Sequence, residues 1–143
     1  MLLQKMEERK MTVNRRLELS RSRAETAFKY VQEIKGNHTA IEKKYKSLVR
    51  KTPMRIKVNG LGATLAFVFS KKNKNEHHQQ LYQQFKRWLN DIGMIDLEGE
   101  EFVAKVVAME KAEYRVITNE LLAFLAWLRR FVDGMIEGEE DDE

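Results

Sequence analysis

Tyr114, Ile117, Leu121, Phe124, Leu128 and Phe131 follow one another at alternating steps of three and four residues. A strand points successive side chains to opposite faces, so only an α-helix gathers all six on one stripe. The stripe spans nearly three heptads. In a chain of this length such a stripe serves more often as a core face than as a coiled-coil seam, and we assign it to the core. The closing segment is thus the backbone of a helical fold, and Gly134 is expected to end it.

The rest of the sequence reads the same way. A single proline and seven scattered glycines leave few strand signals. A first helix is expected from about Met11, or earlier, to Ile34, with Leu17, Ala24, Ala27, Val31 and Ile34 on one stripe and Gly36 and Asn37 at its end. Thr39 to Glu42 has the form of a capping box, in which side chains satisfy the free amides of a helix start. The second helix turns Ile41, Tyr45, Leu48 and Val49 inward. Pro53 is expected to stop or kink it, because proline lacks an amide hydrogen and crowds the preceding turn, and a short helix then reaches Asn59 and Gly60. Leu61 to Phe69 is almost wholly apolar and reads as a central, buried helix. Ser70 to Asn75 forms an exposed connection, and Asn73 or Glu76 caps a helix bearing Leu81, Phe85, Trp88 and Ile92, which Gly93 closes. The acidic turn Asp96 to Glu101 precedes a short helix from Phe102 to Met109. The expectation is an all-α, compact single domain over residues 1–136 with no sheet. Residues 1–11 are either flexible or extend the first helix, and residues 137–143 form a charged, disordered tail that buries nothing.

Composition narrows the function. No apolar run approaches the roughly 18 residues needed to span a bilayer, and Met1 to Arg9 carries charges where a signal peptide is apolar, which points to the cytoplasm and away from membranes. The absence of cysteine removes disulfides, thiolate nucleophiles and Cys-rich zinc sites. His77 and His78 are helix neighbours, about 100° apart, so they do not converge on one metal ion, and they read as exposed residues near a helix start. Asp96, Glu98, Glu100 and Glu101 lack the spacing of a calcium loop. Gly60-Leu61-Gly62 has neither a preceding strand nor a following Gly-Lys-Ser, so it reads as a tight bend with close helix packing and not as a phosphate cradle. Neither a metal, a cofactor nor a catalytic role is indicated.

Net charge is +4, but it is unevenly placed. Residues 1–90 hold 21 Lys and Arg against 7 Asp and Glu, whereas residues 91–143 hold 5 against 15. The densest run, Lys43 to Lys57, contains seven basic residues and no acidic one. With Ile41, Tyr45 and Leu48 inward, Lys43, Lys46 and Arg50 fall on an outer face that Arg55 and Lys57 extend, each able to neutralise one phosphate and release its counterions. Arg15, Arg16, Arg21 and Arg23 add to it from the first helix. No base-reading signature accompanies the run, so phosphate and shape contacts are expected. The charge split also suits head-to-tail association of copies, a basic region on one facing an acidic region on the next.

Two stretches resemble the small subunit of the type III-B CRISPR effector, the Cmr complex. In the first, YKSLVRKTPMRIKVNGLGATLAFVFSK (Tyr45 to Lys71), a proline is followed by Asn-Gly-Leu-Gly and a small and aromatic run ending in lysine. The second is YRVITNELLAFLAWLRRFVDG (Tyr114 to Gly134). With the layout between them the likeness covers most of residues 12–134. It implies a bundle of about six helices and a non-catalytic antiviral scaffold that stacks with sister copies, binds other effector subunits and touches guide and target RNA. It places RNA contacts at Arg50, Lys51, Arg55 and Lys57, at Lys71, and at Arg129 and Arg130. The other reading is a free-standing helical regulator of DNA or RNA.

Overall fold

The computed structural model describes residues 1–36 and 39–142. Among them it contains six helices and no strand: α1 (Leu2–Ile34), α2 (Thr39–Asn59), α3 (Leu61–Lys71), α4 (Glu76–Asp91), α5 (Phe102–Val107) and α6 (Lys111–Met135). Helix α6 packs on α1 and α2, α2 also packs on α4 and α3, and α3 is bordered by α4 and α5. The closing stripe is the core face anticipated for it: Ile117, Leu121, Phe124 and Leu128 are buried, with Tyr114 and Phe131 half-buried at its ends. Each such buried side chain contributes about 1.5–3 kcal/mol.

Phe124 is a meeting point. It stacks on Trp88 of α4 at 4.9 Å between ring centroids and takes the edge of Tyr30 of α1 at 5.8 Å. One turn earlier, buried Glu120 receives the Trp88 indole N–H at 3.0 Å and the Arg23 guanidinium at 2.7 and 2.8 Å. Three helices are therefore tied by one carboxylate whose charge is matched, so Arg23 is a structural cation and not part of an open basic arm.

Several elements differ from the sequence reading, each for a local reason. Helix α2 runs unbroken through Pro53, so no separate helix follows it. The Thr52 hydroxyl donates to the Leu48 carbonyl at 2.6 Å, so one acceptor in the turn beside the proline gains a side-chain partner. Helix α3 is apolar all round but lies at the edge of the bundle: Leu61, Thr64, Leu65 and Val68 are buried while Ala63 and Ala66 are exposed. At the Thr39 start, Glu42 accepts from the Gly36 amide at 3.3 Å and so bridges back across the connection; Asn37 lies outside the described residues. Asn75, not Asn73 or Glu76, occupies the N-cap of α4, and α6 continues through Gly134 to Met135. Helix α1 reaches back to Leu2, about 50 Å at 1.5 Å per residue, and every residue before Leu19 is exposed.

The Asn-Gly-Leu-Gly stretch is a structural joint. Gly60 adopts a φ of +89°, which favours glycine, and links α2 to α3. Gly62 donates its amide to the Tyr114 hydroxyl at 2.7 Å, and a Cβ there would stand 3.3 Å from Val107. Among the described residues no helix is long and apolar enough to cross a membrane.

Candidate nucleic-acid interface

The basic run of α2 divides into three environments. Lys46 is turned inward, against the expectation of an outer face: it is buried and donates to the Ile136 carbonyl at 2.7 Å. All five residues from Tyr45 to Val49 are buried, because α2 is covered by the core on one side and by the chain leaving α6 on the other. A helical wheel built on the core alone leaves Lys46 outside.

The second environment is an ionic strip formed with the C-terminal segment. Arg50 is held by Asp133 at 2.6 Å and by Glu139 at 3.0 Å. Lys51 pairs with Asp142 at 2.7 Å and Asp141 at 3.8 Å, and Arg55 reaches Asp142 at 3.0 Å. The Glu140 amide donates to the Lys43 carbonyl at 3.4 Å, and Gly138, at a φ of +73°, turns beside the Lys43 side chain. Residues 137–142 therefore lie along α2, and Asp142 is fully buried. Burial by itself would raise the Asp142 carboxyl, but hydrogen bonds from Lys51 and Arg55 hold it below its ordinary value. The same bond raises Lys51.

His77 and His78, expected at the surface, are buried under this segment. The His77 ring donates through Nε2 to the Asp142 carbonyl oxygen. His78 lies 4.3 Å from it between ring centroids, takes the edge of Phe67 at 5.8 Å, and has no hydrogen-bond partner for either ring nitrogen. Burial lowers both, His78 to about 4, with the neighbouring His77 adding to the effect. No group of His, Cys, Asp or Glu suited to a metal ion occurs among the described residues.

The third environment is open. Lys57 of α2 joins Arg129 and Arg130 of α6 around a groove of about 370 Å³ that Pro53, Leu122, Ala126 and Asp133 also line, the last of them paired with Arg50. These three cations are exposed, and the ion pairs described above involve none of them. Arg130 lies 4.9 Å over the Trp127 ring, which stacks in turn on Phe131. Nearby, Phe67 carries Arg55 on its face at 5.2 Å and Lys71 at 5.6 Å, beside a second groove of about 430 Å³ lined by Asn59, Ala63 and Thr64. Cations over half-buried rings combine phosphate neutralisation with stacking surfaces.

Of the cations singled out by sequence for phosphate contact, the structure thus brings Lys57, Arg129 and Arg130 together in an open groove. It sets Lys71 and Arg55 over Phe67, and it lays Lys43, Arg50, Lys51 and Arg55 against the acidic segment. Sequence reasoning did not find Asp142, His77 or Glu120 as partners, since no periodicity marks them; the carboxylate-free basic run was the only hint that an acidic segment of the same chain would settle there. Compared with known families, residues 19–135 match the model described as CRISPR-associated protein (Cas_Cmr5). The match opens at Leu19, where α1 ceases to be fully exposed, and closes at the last residue of α6.

Proposed function

The chain belongs to the Cas_Cmr5 family, the CRISPR-associated small subunit of the Cmr effector complex, and from that membership we propose that it is a non-catalytic scaffold which touches guide and target RNA through phosphate contacts. The observation that carries the RNA reading is the groove of Lys57, Arg129 and Arg130, three exposed cations from two rigid helices beside a stacked aromatic pair. Placement on two packed helices favours backbone contacts in a fixed register, and such contacts carry no sequence information directly. Sister copies stack head to tail, the exposed acidic turn Asp96 to Glu101 of one facing a basic surface of the next, and other effector subunits hold the row in place. Such contacts orient copies more than they bind them.

The test is a charge reversal in the reconstituted effector complex. Replacing Lys57, Arg129 and Arg130 together by Glu should weaken target RNA and lower the magnitude of the slope of log affinity against log salt by about 2, at about 0.7 per lost phosphate contact on a single strand. Assembly without loss of RNA affinity would show that the groove does not meet RNA.

A further inference from the structure

The C-terminal segment follows α2 with unusual completeness for a run of acidic residues. Its backbone is tied at Ile136 by Lys46 and at Glu140 by Lys43. Its side chains meet the cations in order, Glu139 at Arg50, Asp141 at Lys51, and Asp142 between Lys51 and Arg55. Those three cations belong to the run that the sequence marks for phosphate. Asp142 is the deepest occupant: its carboxylate is buried, its carbonyl oxygen is held by His77, and beside it His78 retains ring nitrogens with no partner. The cleft therefore offers more polar capacity than one carboxylate uses. The segment also lies outside residues 19–135, the part of the chain shared with the family.

We infer that residues 137–142 are an internal stand-in for a nucleic-acid backbone, covering an anion-binding cleft of Arg50, Lys51, Arg55 and His77 in the free protein and leaving it when RNA phosphates arrive. This rests on the RNA-contact reading above and adds a regulation to it: the free subunit is shielded from stray polyanions. Most of the pairs are exposed on at least one side and hold the segment weakly, whereas RNA presents many phosphates at once and releases counterions as it binds.

The experiment compares the full chain with the full-length variant Glu139→Gln, Asp141→Asn, Asp142→Asn and with a chain ending at Ile136, each checked for folding by circular dichroism. The probe is a fluorescent oligouridylate, read by anisotropy over a series of salt concentrations. The neutralised variant should bind on the order of tenfold more tightly, with a slope steeper by about 1.4 as Lys51 and Arg55 become available while Arg50 keeps its pair with Asp133. Hydrogen exchange at the Glu140 amide of the full chain should lose protection when RNA saturates it. Equal affinity and slope in chains that bind RNA, or a Glu140 amide still protected at saturation, overturns the inference. If no chain binds RNA, the RNA-contact reading falls, and inorganic tripolyphosphate decides the cleft alone: tighter binding by the neutralised variant supports a displaceable segment, and equal or absent binding refutes it. Should the shortened chain fail to fold, the full-length variant still gives the answer.

Discussion

Glu120 shows how much one residue can hold. Its carboxylate is buried among α1, α4 and α6 and satisfies Arg23 and Trp88 together. Replacing it with Ala leaves a mostly buried guanidinium and an indole N–H without partners, so Glu120→Ala should lower stability by about 3 kcal/mol, read as a fall in the urea midpoint at unchanged slope. A change below about 1 kcal/mol would mean that water replaces the lost bonds. His78 supplies the pH response. Burial lowers it to about 4, next to His77 and within the fields of Asp142, Lys71 and Arg55. Its folded value lies below the ordinary 6.5, so its contribution is present above about pH 6.5 and is lost as pH falls toward 4. Asp142, held below its ordinary value, adds a loss at still lower pH. Thermal stability should hold at neutral pH and decline below about 6.5, and His78→Leu should flatten that decline. These residues were hard to read in advance. Lys46, His77, His78 and Asp142 sit where a distant segment folds over α2, and no local pattern carries that information.

At the level of elements the sequence was more legible. The stripes of α1, α4 and α6 declared themselves because a core face repeats with the helix period: Ala27, Val31 and Ile34, Leu81, Phe85 and Trp88, and Ile117, Leu121, Phe124 and Leu128 are buried as the spacing named, whereas Leu17 is exposed and the unnamed Tyr30, Tyr82, Leu89, Leu125 and Val132 widen the buried faces. A stop at Pro53 and a central place for α3 were misjudged because the sequence shows a proline's penalty and a helix's apolarity, but not the turn around the one or the edge position of the other. The joint between α2, α3 and α6 yields a direct test. Gly62 stands in the first turn of α3, where amides lack intrahelical acceptors, and the Tyr114 hydroxyl caps one from another helix. Tyr114→Phe keeps the ring and removes the acceptor. It should cost about 1 kcal/mol, and exchange of the Gly62 amide should quicken. Unaltered exchange would show that the bond contributes nothing. The two stretches that carry the family likeness touch at this bond, which gives their joint presence a physical basis.

At the scale of the whole molecule, the charge split of the sequence looks different once folded. Part of the acidic end lies on the basic run of the same chain, so fewer charges remain to join copies than composition implies. The isolated protein should therefore be mainly monomeric at physiological salt and associate weakly and open-endedly at low salt, as sedimentation velocity over a concentration series would show. A tight closed dimer insensitive to salt would contradict stacking. The two ends of the chain also differ in their freedom. Met1 opens a helix that is exposed throughout its first turns, whereas Asp142, one residue from the other terminus, is fully enclosed. That asymmetry dictates where a reporter group can be attached: one placed on the first turns of α1 stands in open solvent, while one placed beside Asp142 sits at the wall of the cleft and would itself alter how the subunit meets anions.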